Sequence, residues 1–169
     1  MPVLPIVLYA SAPELLRRRS EPVQEGFSGL GTLLANLADT LLHHSNGVGL
    51  AAPQIGVHLR AMVVRLGSGP DGSHGPPVAV VNPVIVEASR DQLDFDGCLS
   101  LPGLYAKTVR PHFIRLRGLD AWGETFECAL GGFDAVVVHH EVDHLDGVLF
   151  IDRVARPADL FAEDEAPAR

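Results

Sequence analysis

His140-Glu141-Val142-Asp143-His144 sets two imidazoles four residues apart, with a carboxylate beside the first. On a helix, positions i and i+4 share a face, so both rings can meet one metal ion while Glu141 stands next to any water that the ion activates. The spacing therefore predicts a helix, from about Ala135 to Leu145, with Asp134 as its cap and Gly147 as its stop. One local signal opposes this. Val136-Val137-Val138 is β-branched and prefers a strand, a preference that only a buried helix overrides.

A catalytic site of this kind takes three protein ligands and keeps a fourth position open. Two residues offer the third donor. Cys98 lies in Phe95-Asp96-Gly97-Cys98-Leu99-Ser100-Leu101-Pro102, a loop-like segment in which glycine lets the backbone approach closely. Glu163 lies nineteen residues past His144, in an acidic stretch with little apolar content to hold a ligand still. Cys98 is the favoured donor, although a free cysteine is most often a small buried hydrophobe. A further segment runs from Gly47 through Val48, Gly49, Leu50, Ala51, Ala52 and Pro53 to Gln54. It lacks the lysine of a phosphate loop. Its small residues let a backbone run close to a ligand, and the Gln54 amide can donate to an oxyanion.

These three segments, in this order, resemble the peptide deformylase family, whose motifs are GxGLAAxQ, EGCLS and QHExDH. Here they read GVGLAAPQ from Gly47, DGCLS from Asp96 and HHEVDH from His139. Ile6-Val7-Leu8-Tyr9, Val81-Asn82-Pro83, Val109-Arg110-Pro111 and Leu145-Asp146-Gly147-Val148-Leu149-Phe150 extend the likeness over about residues 3 to 155. The resemblance implies removal of the formyl group from the N-terminal formylmethionine of nascent peptides. It implies Cys98, His140 and His144 as ligands of one divalent metal ion, Glu141 as general acid/base, and Gln54 with the backbone N–H of Leu99 as oxyanion donors. Ferrous iron is the family's usual native metal, with zinc or nickel as replacements, and the ligand set itself does not choose among them. A methionine pocket is implied as well, lined here by Val48, Leu99, Phe133, Val136 and Val137, beside Gly47 and Gly49.

Two motif positions depart from the family. Asp96 stands where glutamate is usual and His139 where glutamine is usual. Both belong to the surroundings of the ligands, with Arg110 as the expected partner of Asp96. Helix geometry turns His139 about 100° from His140, away from direct ligation. These changes, with Tyr105, leave open a related metalloamidase acting on another small N-acyl substrate. A metal-bound relative with little turnover is a third reading, against which Glu141 stands, since a purely structural site has no use for it.

At 169 residues the chain reads as one catalytic domain, with residues 155–169 a short acidic tail. A net charge of −8 argues against direct nucleic-acid binding, which needs basic surface. The basic run Arg17-Arg18-Arg19 reads as a solvated turn end, though the family meets nascent chains at the ribosome and a transient contact there would use it. A ligand thiolate must stay reduced. With no signal peptide evident and no long apolar run, the expectation is a cytoplasmic protein outside the membrane.

Leu30, Leu33, Leu34, Leu37 and Leu41 recur at helical spacing and predict a first helix from about Ser28 to His44. His43 and His44 read as exposed or capping, and His58, His74 and His112 as loop or edge residues. Leu59 to Leu66 and Val78 to Ala88 read as strands around a loop at 67–76, and Phe113 to Leu119 with Thr125 to Leu130 as a hairpin. The fold class expected is α+β, with mostly antiparallel sheets around a central metal-binding helix.

Overall fold

Residues 61–64 are all buried, because a helix covers each face of the strand that carries them. In the computed structural model, which describes residues 2–67 and 72–163, the elements follow one another in the order α1 (Pro13–Arg17), α2 (Leu30–His43), β1 (Gly49–Ala51), β2 (Ala61–Arg65), β3 (Pro77–Ala88), β4 (Asp91–Gly97), β5 (Leu104–Pro111), β6 (Phe113–Leu119), β7 (Thr125–Gly131), α3 (Gly132–Leu145) and β8 (Leu160–Ala162). The strands form two antiparallel sheets, ordered β1-β2-β3-β6-β7 and β4-β5-β8. The architecture is the α+β class expected.

Side chains alternate across a strand, and β2 uses both directions. Ala61 and Val63 join Leu33, Leu34, Leu37 and Leu41 of α2, whereas Met62 and Val64 join Ala135, Val137, Val138, Val142 and Leu145 of α3. A strand covered on both faces reads as a continuous apolar run, and each buried leucine or valine there contributes roughly 1.5–3 kcal/mol of transfer free energy. At Asn82 the backbone of β3 takes φ 49, and the side chain holds Val23 by accepting from its N–H (2.8 Å) and donating to its carbonyl (2.9 Å).

Helix α3 starts at Gly132, earlier than Ala135, because β7 passes into it without a loop. Gly131 is extended and Gly132 turns the chain at φ 57, a conformation open to glycine. Asp134 consequently falls inside the first turn and is not the cap. Its carboxylate instead accepts the Gly67 N–H at 3.0 and 3.2 Å, tying the helix to the end of β2. Val136, Val137 and Val138 are helical and buried, so packing overrides their strand preference.

The acidic tail expected from residue 155 is corrected over its first part. Leu160–Ala162 pairs with Leu104–Ala106 as β8, and the Phe161 ring lies 5.5 Å from that of Phe95. Apolar Leu160 and Phe161 suffice where β5 offers an unpaired edge. Residues 68–71 of the loop and 164–169 of the tail lie outside the described residues. No helix among the described residues is long and apolar enough to cross a membrane.

Candidate metal centre and active site

Three elements converge below the small sheet. β4 carries Asp96 and delivers Cys98 just past its end, β5 turns Ala106, Thr108 and Arg110 inward at every second position, and α3 presents His140, Glu141, Asp143 and His144. The ligand atoms of Cys98, His140 and His144 all lie within 4.8 Å of one another. Cys98 Sγ is 3.3 Å from His144 Nε2, and the two Nε2 atoms are 3.2 Å apart. Metal–nitrogen and metal–sulfur bonds of ~2.0 and ~2.3 Å in a tetrahedron put nitrogens about 3.4 Å apart and sulfur about 3.6 Å from nitrogen, so the donor set fits one ion. Glu163, the rival donor, has its N–H on Gly103 O at 2.9 Å and lines the rim of the same cavity, apart from this set.

The tautomer of His140 follows from its neighbour. Its Nδ1 donates to Asp96 Oδ1 at 2.7 Å, which leaves Nε2 facing the other donors. Asp96 Oδ2 accepts from Arg110 Nε at 2.7 Å and from Thr108 Oγ1 at 3.0 Å. Burial opposes the charge on Asp96, but His140, by charge and hydrogen bond, and then Arg110 hold its carboxyl well below the usual range. Burial likewise opposes charge on His140, and the Asp96 carboxylate outweighs it, so its pKa stands well above the ordinary value. Burial and then the charge of His140 press the pKa of His144 well below its ordinary value.

Glu141 is buried, and burial pushes its carboxyl up to about 7 against the opposing charge of His140. It lies so close to Gly49 that a Cβ there would come within 2.3 Å of Glu141 Oε1. Only glycine fits, which gives that part of the glycine-rich segment a definite purpose. Gln54 is oriented by its carbonyl oxygen, which accepts the Ala51 N–H at 2.9 Å. Its Nε2 therefore points to Ser100 Oγ (3.2 Å) and Cys98 Sγ (3.5 Å). Among the described residues none accepts a hydrogen bond from Leu99 N–H. Gly47, Val48, Gly49, Gln54, Leu99 and Phe133 line one open cavity of about 970 Å³, together with Val136, Val137, His140 and Glu141.

The sequence model of the polypeptide deformylase family matches residues 3–159. The chain belongs to that family. It is 40% identical over 139 residues to the peptide deformylase of Carboxydothermus hydrogenoformans, covering 82% of this chain and 86% of that protein. It is 40% identical over 157 residues to that of Chlorobium phaeobacteroides, covering 91% and 82%. Among solved structures, a class I type b peptide deformylase from Acinetobacter baumannii bound to Met-Ala-Ser superposes with a TM-score of 0.81 at 34% identity, over 90% of this chain and 100% of that one. The peptide deformylase from Thermotoga maritima does so with a TM-score of 0.81 at 35% identity, over 92% and 100%.

In this deformylase-family chain several residues around the site escaped sequence reasoning. Thr108 and Asp143 are buried polar partners of the network, and Arg153 grips both oxygens of Asp143 at 2.8 and 3.0 Å. The alternation of Ala106, Thr108 and Arg110 was the available signal, obscured because the inward face of β5 is polar. His44 and His74 line the cavity, and the His74 ring lies 6.1 Å from that of Phe133. No local pattern marks either one. His139 points away from the donors, its Nδ1 2.7 Å from Arg110 Nη1. Burial first, and then Arg110 and Arg153 against the pull of Asp143, lower its pKa to about 4. Cys128 is a free thiol on β7, as Cys98 is beyond β4.

Proposed function

We propose that Cys98, His140 and His144 hold one divalent metal ion and that Glu141 moves the protons of the reaction. The reaction is hydrolysis of the formyl group from the N-terminus of nascent peptides, the chemistry of the family to which the chain belongs. The carrying observation is the convergence of the three donors with the carboxylate of Glu141 adjacent and buried. When bound, the ion supplies Lewis-acid charge for the formyl oxygen and acidifies water in the site.

The chain's own groups do the rest. Glu141, buried beside the donors, takes a proton from water as it adds to the formyl carbon and returns a proton to the departing amine. Water and formamide thus become formate and a free N-terminus. In this reading Gln54 Nε2 and Leu99 N–H donate to the oxygen that gains charge, a contribution on the order of 3 kcal/mol for one such donor. Asp96, anchored by Arg110 and Thr108, keeps His140 in the tautomer that a ligand needs. Val48, Leu99, Phe133, Val136 and Val137 form the wall for the methionine side chain, and the backbone between Gly47 and Gly49 lies open beside it. The Met-Ala-Ser-bound neighbour supports a peptide in this cavity. Ferrous iron is the proposed native metal, with zinc or nickel as replacements, since thiolate and imidazole accept all three.

A transient ribosome contact through Arg17-Arg18-Arg19 would rest on Arg18 and Arg19, which are exposed. Arg17 pairs with Asp152, and Arg19 stands 3.8 Å from Asp146.

The test is formate release from formyl-Met-Ala-Ser by protein purified anaerobically with ferrous iron, beside Glu141→Ala and an N-acetyl control peptide. Wild type releases formate, the acetyl peptide stays intact, and Glu141→Ala keeps its metal while losing about 10²- to 10⁴-fold in rate. Full activity in Glu141→Ala overturns the acid/base assignment. Cleavage of the acetyl peptide at a similar rate points to a broader amidase.

A further inference from the structure

Arg110 is the bulkiest of the fully buried side chains, and its guanidinium is held from two sides. On one side Nε donates to Asp96 Oδ2 at 2.7 Å, and Asp96 Oδ1 accepts His140 Nδ1–H at 2.7 Å. On the other, Nη1 lies 2.7 Å from His139 Nδ1 and 2.9 Å from Asp143 Oδ2. An arginine always carries its protons, so His139 Nδ1 is the acceptor and its own proton sits on Nε2. His139 and His140 are adjacent on the helix and point in different directions. Arg110, reaching in from β5, touches both, with Nη1 2.7 Å from His139 Nδ1 and Nη2 3.5 Å from His140 Nδ1.

We propose that His139 is a positioning residue, whose Nδ1 lone pair locks the Arg110 guanidinium and through it presses Asp96 against His140. Without that acceptor Nη1 keeps Asp143 alone, and Asp143 Oδ2 is already shared with Arg153 Nε at 3.0 Å. The guanidinium is then drawn toward the Asp143 carboxylate, and its Nε–Asp96 bond lengthens. Asp96 retains Thr108 but loses the charge-assisted bond that sets its angle to the imidazole. The site would still assemble, but with a looser ligand. The proposal rests on His140 being a metal ligand.

Two readouts test it: the Zn2+ dissociation constant, by competition with a chromophoric chelator, and the proton NMR signal of His140 Nδ1–H in metal-free protein labelled at histidine nitrogens. His139→Leu should weaken Zn2+ about tenfold or more and broaden or shift upfield that resonance, whereas His139→Gln, whose Oε1 can accept from Nη1, should stay within about threefold of wild type. In an Asp96→Asn background, His139→Leu should add nothing further, because the path to His140 is already cut. His139→Met serves as the acceptor-free variant should leucine not fold. Wild-type affinity and resonance in the acceptor-free variant overturn the proposal. So does a glutamine variant no better than leucine, or an undiminished loss in the Asp96→Asn background. If wild type itself binds no Zn2+, it is the ligand assignment that fails, and the resonance of metal-free protein still reports whether His139 acts on Asp96 and His140.

Discussion

Helices α2 and α3 are each fourteen residues long and pack on opposite faces of β2, yet different physics holds them. α2 buries one stripe, Leu33, Leu34, Leu37, Thr40 and Leu41, flanks it with half-buried residues and exposes Gly31, Thr32, Leu42 and His43. α3 buries ten residues, among them His140, Glu141, Asp143 and His144. Burial of leucine stabilises whatever the details of its neighbours. Burial of an ionisable group stabilises only if every partner is in place, and otherwise costs several kcal/mol. The two helices therefore divide the work of the fold, with α2 contributing stability and α3 giving some of it up for chemistry.

The sharpest break of this comparison removes a donor. Cys98→Ala should lower bound metal, measured after gel filtration, from about one ion per chain to nearly none, while Glu163→Ala leaves it unchanged. The reverse pattern would return Glu163 as the third ligand.

Leu37 is fully buried in α2. Leu37→Ala should cost about 2–5 kcal/mol in denaturant unfolding, with the kcat of the remaining folded protein unaltered. A matching fall in kcat would mean that α2 also shapes the site.

In α3 the sign inverts. The carboxyl of Glu141 has a folded pKa of about 7, raised from 4.5 by burial, so the folded state holds its proton more tightly than the unfolded chain does. Stability is therefore lost as pH rises from 4.5, and the whole penalty is present above 7. Glu141→Gln, which cannot ionise, should stabilise the metal-free protein by roughly 2–3 kcal/mol at pH 8 and by almost nothing at pH 4. Urea unfolding at both values measures this. An equal effect at the two pH values would show that the carboxylate is not penalised by burial.

The smallest effect belongs to the outer face of β6. Arg115 lies half-exposed between Glu87 (3.0 Å) and Glu127 (3.8 Å). Arg115→Ala should change stability by no more than about 0.5 kcal/mol, and less still at high salt. A cost as large as that at Leu37 would erase the distinction between buried and exposed contributions.

Both helices were legible in the sequence, by different signals. The leucines of α2 announce an amphipathic helix, and its bounds differ from those expected by only one or two residues at each end. α3 carries no such stripe, since it is covered nearly all round. The spacing of His140 and His144 revealed it against the strand preference of three valines. Less legible was β5. Its buried positions Thr108 and Arg110 are polar, so the usual apolar alternation is absent even though the period of two is there. β8 was hidden for another reason. Leu160 and Phe161 sit in a short, otherwise polar stretch, and only the free edge of β5 makes a strand of them.

From the sequence alone came the residues that a metal and a proton transfer require: two imidazoles one helical turn apart, a carboxylate between them, a thiol, and a glycine-rich segment ending in an amide. These depend on residue type and on spacing within a segment, which a linear chain displays. Tertiary structure brought Cys98, and not Glu163, beside the two imidazoles, and set Glu141 against Gly49, where a Cβ would collide with it. It also decided that Arg110 ties His139, Asp143 and Asp96 into one buried network. Those contacts join residues up to 92 positions apart, from Gly49 to Glu141, and such distances close only when the apolar faces of the sheet and both helices are buried together.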